Sequence, residues 1–288
     1  MPEQGLTGII GGSGLYQMDG LNVTEEVVLE TPFGPPSDSY VLGELGGRPV
    51  AFLPRHGRGH RFLPGELNFR ANVWGFKKLG AERIVSVSAV GSMKKEIEPL
   101  HIVLPDQFID RTRGRVETFF GDGVVAHVSL ADPVCPQLHA ALVETTRSCG
   151  VKVWPGGTYV CIEGPTFSTR AESELYRSWG VSVIGMTNLP EAKLAREAEM
   201  CYATVALVTD YDCWHETEEA VTGQMVLENL KKNVDTAQGI LSALMSVLPV
   251  GRSCGCGQAL REALVTQPSQ MPQEARDRLD IIIGGHVE

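Results

Sequence analysis

Residues 202–209 read Tyr-Ala-Thr-Val-Ala-Leu-Val-Thr, a run of apolar and β-branched residues that fits a buried strand and stops abruptly at Asp210. A strand of this kind belongs inside a layered fold. The rest of the chain offers the other layers, because short β-rich runs alternate with helical patterns along its length. Further strands are predicted at 6–10, 83–89, 101–104, 158–162 and 181–185, and a hairpin pairs 40–45 with 48–54 across Gly46-Gly47. Helices are predicted over 68–79 (closed by Gly80), 136–148 (closed by Gly150), 168–179, from Pro190 onward, and 216–248 with bends near Gly223 and Gly239. Ser168 is the expected cap of the 168–179 helix, in preference to a Thr169–Glu172 capping box. The expected fold class is α/β, a mixed β-sheet flanked by helices, and ligands of such sheets gather at the carboxyl ends of strands.

A chain of 288 residues can bury a substantial core. Residues 1–250 are read as the main domain and 251–288 as a C-terminal extension with little core of its own. The formal net charge is −10, with acids spread along the chain, which argues against a nucleic-acid surface and its clustered Lys and Arg. An anion would therefore have to be held in a local pocket. No run approaches the roughly 20 apolar residues of a membrane span. The first residues carry no basic region of a signal peptide, and seven cysteines do not form a disulfide framework, so a cytoplasmic protein is expected. Cys161, Cys201 and Cys213 read as inert buried thiols. Cys254 and Cys256 form a lone C-x-C with no second pair nearby in sequence, so an incidental pair is favoured over a zinc site or a disulfide clip.

Several short stretches carry the chemistry. Gly11-Gly12-Ser13-Gly14 comes directly after a strand and offers successive N–H groups and a hydroxyl, a nest for an oxyanion; a tight turn explains the same glycines. Neither a P-loop nor a dinucleotide fingerprint is complete there. Arg55-His56 ends another strand and supplies a guanidinium fork and an imidazole for phosphate, unless the pair is merely a solvated surface. Ser88-Ala89, at a third strand end, adds a hydroxyl and amides. The sharpest feature is Asp210-Tyr211-Asp212, since carboxylates at i and i+2 of an extended chain point to the same side. Capping of the next helix is the alternative. Adjacent carboxylates suppress each other's ionisation, so one could keep a proton for purine N7 while the other accepts from a 6-amino group. Protonating a departing purine is the task of a general acid. Phe167 could stack on a base, Met186-Thr187 joins a soft apolar group to a hydroxyl, and Val226 and Leu227 are apolar on the last long helix. For Phe167, Met186, Val226 and Leu227, ordinary core packing is the competing role.

Together these residues resemble the trimeric purine nucleoside phosphorylases, most closely their methylthioadenosine phosphorylase branch. The matching stretches are Ile9-Ile-Gly-Gly-Ser-Gly-Leu15, Thr31-Pro-Phe-Gly34, Arg55-His-Gly57, Asp106-Gln-Phe-Ile-Asp-Arg-Thr112, Glu163-Gly-Pro-Thr-Phe-Ser168, Arg170-Ala-Glu-Ser173, Met186-Thr187 and Thr209-Asp-Tyr-Asp-Cys-Trp214. They run in unbroken order from about residue 6 to about residue 248, leaving the tail outside. The resemblance implies a mixed sheet with a distorted barrel, assembled as a trimer or a dimer of trimers. It implies a phosphate site of Ser13, Arg55, His56, Ser88, the Ala89 amide and Thr187. Met186 would lie under the ribose, Phe167 and Ser168 beside the base, and Asp210 and Asp212 at N7 and the 6-amino group, with Asp210 as the catalytic acid. Val226 and Leu227 would help line the substrate site. His127 would be lent to the neighbouring subunit, over the 5'-substituent. Gly223 departs from the bulkier apolar residue of relatives, so the width of the 5'-pocket is open. In the 6-oxopurine branch an Asn stands where this chain has Asp210, and a carboxylate facing O6 would set acceptor against acceptor.

The activity so implied is phosphate-dependent cleavage of 5'-methylthioadenosine, in purine salvage. It needs no metal and no organic cofactor, phosphate being a co-substrate, and involves neither nucleic acid nor membrane. A 6-oxopurine phosphorylase (inosine, guanosine or methylthioinosine), a nucleoside hydrolase and a non-catalytic purine-binding protein are the rivals. Comparing inosine with adenosine, and phosphate with no phosphate, separates them.

Overall fold

In the computed structural model, which describes residues 5–12, 15, 20–215 and 223–287 (for 223–227 and 230 the backbone alone), one mixed sheet of eleven strands carries the chain. In order the elements are β1 (Leu6–Gly11), β2 (Asn22–Val27), β3 (Tyr40–Leu45), β4 (Arg48–Pro54), α1 (Phe69–Lys78), β5 (Ala81–Ser92), β6 (Ile102–Leu104), β7 (Gln107–Arg111) and α2 (Pro136–Ser148). Then come β8 (Val153–Pro155), β9 (Thr158–Ile162), α3 (Arg170–Ser178), β10 (Val183–Gly185), α4 (Asn188–Glu197), β11 (Cys201–Asp210), α5 (Gly223–Val247) and α6 (Gln273–Ile283). One path through the sheet runs β2-β3-β4-β1-β5-β10-β9-β7, and a second branch leaves β5 through β11 to β6 and β8. The sheet is thus forked at β5, and the pairings among the described residues distort it without closing it into a barrel.

β1 runs parallel to both β4 and β5, and β11 runs parallel to β5. Their carboxyl ends therefore meet on one edge. β11 is buried along its whole length, as its composition requires. Tyr202, Ala206 and Val208 enter the core that α1, α4 and α6 cover, whereas Ala203, Val205 and Leu207 enter the core that α2 and α5 cover. Alternation of side chains across the strand makes this division, and it is why both faces need helices.

The predicted helix 136–148 and strand 158–162 are found with the same bounds, as are both strands of the 40–54 hairpin. Three readings need correction. First, α3 is capped by Thr169, not Ser168: the Thr169 hydroxyl accepts from the Glu172 amide and the Glu172 carboxylate accepts from the Thr169 amide (2.7 Å), a complete capping box. Ser168 lies one residue outside and faces a cavity instead.

Second, the tail has an apolar interior that joins the main core. Leu260, Leu279, Ile282 and Ile283 are buried in the same cluster as Phe76 and Tyr202. Residues 263–266 lie along the 124–127 segment, with a bridge between Ala126 and Leu264 and a bond from the His127 amide to Ala263 O (2.8 Å). Third, Cys254 and Cys256 are not isolated. The fold brings them to Cys135 and Cys201, from distant parts of the chain. Residues 216–222 of the predicted last helix lie outside the described residues. Among the described residues no helix is long and apolar enough to cross a membrane.

Candidate active site

A cavity of about 460 Å³ opens where the ends of β1, β4, β10 and β11 and the far half of β5 converge. Ten of the predicted site residues line it: Arg55, His56, Ser88, Ala89, Phe167, Ser168, Met186, Thr187, Asp210 and Asp212. Ser13 lies outside the described residues, and so do the side chains of Val226 and Leu227. His127 is exposed and does not line the cavity.

The two carboxyls reach the cavity by a route other than an extended i, i+2 pair. Val208 pairs with Val90 and Asp210 with Gly91, so Thr209 is an extra residue in β11, a bulge that re-aims the side chains after it. Asp212 has a φ of 53°, in the left-handed region that aspartate tolerates better than most residues. Its amide donates to Asp210 Oδ1 (2.8 Å), and the Thr209 hydroxyl donates to Asp210 Oδ2 (2.7 Å). A Cβ on Gly91 would come within 3.0 Å of Asp210 Oδ1, so glycine leaves the carboxylate its place. Both acids are buried, and burial is the leading cause that raises the Asp212 carboxyl above its ordinary range. Burial, not mutual repulsion of the two acids, leads that shift.

At the end of β4, Arg55 is neither a solvated surface residue nor a fork left free for phosphate. It is 1% exposed, and Nε and Nη2 grip the Glu191 carboxylate at 2.9 and 3.1 Å. Nη2 also donates to Ser86 Oγ (2.7 Å) and Ile10 O (3.2 Å). Nη1 donates to Val87 O (2.9 Å), which leaves its second hydrogen without a partner among the described residues. The charge of Arg55 is thus balanced within the protein, and an unpaired buried guanidinium would have been costly. Glu191 is further held by the Tyr202 hydroxyl (2.9 Å). Ser88 donates to Asn188 Oδ1 (3.2 Å), and Asn188 donates in turn to the Tyr202 and Thr204 hydroxyls.

Burial pushes the His56 imidazole down to about 4, so the ring is neutral near pH 7. Its Nδ1 faces Phe62 O at 2.9 Å, and since a carbonyl only accepts, Nδ1 carries the proton. Nε2 is then an acceptor. His60 stacks on the ring with centroids 4.3 Å apart. At the mouth Phe167 is 53% exposed, and the neighbouring Ser168 Oγ is buried without a partner among the described residues. An unsatisfied buried hydroxyl beside a cavity is suited to a ligand's polar group.

The profile of the phosphorylase superfamily matches residues 7–246. The chain belongs to this superfamily. A member from Geobacter sulfurreducens, named S-methyl-5'-thioadenosine phosphorylase, is 58% identical over 281 residues, which cover 97% of this chain and 98% of the relative. One of the same name from Koribacter versatilis is 59% identical over 277 residues, or 96% and 95% of the two chains. Among solved structures, a methylthioadenosine phosphorylase from an antarctic soil metagenomic library superposes with a TM-score of 0.91 at 51% identity, covering 96% of this chain and 98% of that one. The Schistosoma mansoni methylthioadenosine phosphorylase in complex with adenine gives 0.82 at 37%, covering 85% and 91%. The bacterial relatives align over nearly all of the chain, so the tail is shared with them, contrary to the reading that left it outside the resemblance.

Several residues that shape this phosphorylase cavity were not singled out in the sequence. Glu191 is fully buried and neutralises Arg55, but in sequence it is one acid in the first turn of a helix. Arg115 donates to Met186 O (2.8 Å), Leu189 O (2.7 Å) and Glu163 O (2.8 Å), tying together the two loops that carry Met186 and Phe167. Nothing marks it in the sequence, because its partners are backbone carbonyls brought together by the fold. Gly91 and Thr209 had a weak signal, a glycine and a hydroxyl at the ends of apolar runs.

Proposed function

We propose that the cavity carries out phosphorolysis of 5'-methylthioadenosine, releasing adenine and 5-methylthioribose 1-phosphate. The observation that carries this reading is that two buried carboxyls, one with a raised pKa, share one cavity with Ser88, Ala89, Thr187, His56 and the edge of Arg55. The first set suits a 6-aminopurine, the second an oxyanion.

In this reading phosphate lies under the sugar and attacks the anomeric carbon as the bond to purine N9 breaks. The electron pair of that bond passes to the purine ring. Asp210 delivers a proton to N7, so the base leaves neutral, and the carboxyl pair regains a proton from solvent on release. The anion beneath the sugar offsets the positive charge that builds on the ribose, a gain made in the transition state. Neutral His56, with Nδ1 committed to Phe62, accepts at Nε2 from a phosphate hydroxyl. Arg55 contributes one remaining N–H and a fixed positive end, not a full unpaired charge. Ser13 completes the cradle and Val226 and Leu227 the apolar side of the sugar site, as the family resemblance implies. Phosphate serves as co-substrate, and the chemistry calls for no cofactor.

Assembly into a trimer or a dimer of trimers is part of the proposal. The exposed His127, anchored through the tail at Ala263, suits a role over the 5'-substituent of a neighbouring subunit's site. The cytoplasm is the proposed location, in keeping with seven cysteines that form no disulfide.

Asp210→Asn tests the base contact. The variant should lose about 10²–10⁴-fold in turnover of methylthioadenosine, the usual worth of a general acid, while its rate on inosine rises relative to adenosine. Unchanged turnover of methylthioadenosine would remove Asp210 from the proposed role.

A further inference from the structure

At the far end of β11 from Asp210, the Sγ atoms of Cys135, Cys201, Cys254 and Cys256 all lie within 4.8 Å of one another. Cys201 opens β11, Cys135 is the N-cap of α2, and the other two come from the tail. Three of the four are buried, and the cluster sits within the apolar core under α2 and α5. None of the four is in a disulfide. We propose that this cluster is a tetrathiolate site for a structural zinc ion, which fastens the tail to α2 and β11.

The geometry favours a metal over two disulfides. Sulfur atoms of a disulfide lie about 2.05 Å apart in separate pairs. Four sulfurs about 2.3 Å from one zinc define a tetrahedron with edges of about 3.8 Å. Here Cys201 and Cys254 are 3.3 Å apart, and all six pairs fall within 4.8 Å, separations on either side of that edge that small shifts of the side chains would even out. The ligand set Cys₄ is that of closed structural zinc sites.

Zinc binding would release the thiol protons and leave a net charge of about −2 on the centre. The surroundings can bear it. The Leu138 amide donates to Cys135 Sγ (3.5 Å), and the positive end of α2 faces that sulfur. The guanidinium of Arg252 packs against Gly257, the residue after Cys256.

Nine residue-to-residue steps of extended chain lead from Cys201 to Asp210, about 30 Å at 3.3 Å per step, so the metal would take no part in the chemistry of the cavity. The inference is independent of the proposed function. The test is to make the full chain in zinc-supplemented cells, purify it under reducing conditions without chelator, and measure metal content, intact mass and thiol reactivity. Expected are about one zinc per chain, four thiols protected from alkylation until the metal is chelated, and a lower melting temperature after chelation. Cobalt in place of zinc should give the absorption of a tetrahedral thiolate centre. The Cys254→Ser/Cys256→Ser double variant should retain less than about a tenth of the metal. The wild-type measurements decide the matter should that variant fail to fold. Metal-free protein whose four thiols alkylate together would overturn the proposal, and so would a mass lowered by two hydrogens for each disulfide formed.

Discussion

The direction of Asp210 depends on Thr209, the bulged residue, and on Gly91, which leaves space for the carboxylate. A regular strand would have sent neighbouring side chains to opposite faces, yet Thr209 and Asp210 both line the cavity. The acids themselves were legible in the sequence, because a wholly apolar strand that ends in two carboxyls is unusual. Their geometry was not, since a bulge and a left-handed Asp212 are backbone events without a residue signature. Arg55 shows the same limit: its position at a strand end was readable, its buried partner Glu191 was not. A further buried acid, Glu197, accepts from the Thr118 hydroxyl and the Phe119 amide, both at 2.7 Å, and burial pushes its carboxyl up to about 7 from 4.5. Between those values the folded state binds more protons than the unfolded one. Its contribution to stability is therefore complete at the acid end of that window and is lost as pH rises to about 7. Melting temperatures of the wild type should fall, relative to Glu197→Gln, between about pH 5 and about pH 8. His56, pushed down to about 4, acts in the opposite sense and cancels in that comparison. Parallel curves for the two proteins would refute the assignment.

α3 shows how a surface element serves the site. Its first residue comes directly after Phe167, Ser168 and Thr169, so the capping box fixes where the two cavity residues leave the helix. Thr169→Ala should cost about 1 kcal/mol, read as a lower urea midpoint, and should raise KM for the nucleoside with little change in kcat. Thr169→Ser should restore both. An unchanged midpoint would show that the cap does not hold this loop. At this scale the sequence was most informative where periodicity and punctuation agree, as in α2, with Pro136 at its start and Gly150 beyond its end. β2 was missed because its residues, Asn-Val-Thr-Glu-Glu-Val, are almost all exposed and polar, so no buried face writes a pattern.

The molecule as a whole is held together by its tail as well as its sheet. Leu260 donates its amide to Glu199 Oε1 (3.0 Å), His286 meets Glu199 Oε2 (3.0 Å), and α6 closes the core beside α1. The tail looked like an appendage because its apolar residues are scattered among polar ones, and only the fold shows that they share one side. Sequence order likewise concealed the four-cysteine cluster, whose members are distant along the chain. The parts are united by a cavity that brings Arg55, His56, Ser88 and Thr187 together with the carboxyls of Asp210 and Asp212. The direct test is a single assay of methylthioadenosine, adenosine and inosine, each with and without inorganic phosphate. Methylthioadenosine should yield adenine and a sugar 1-phosphate only when phosphate is present, with inosine slower by at least about 10²-fold. Adenine released equally without phosphate, or inosine cleaved in preference, would contradict this reading of the cavity.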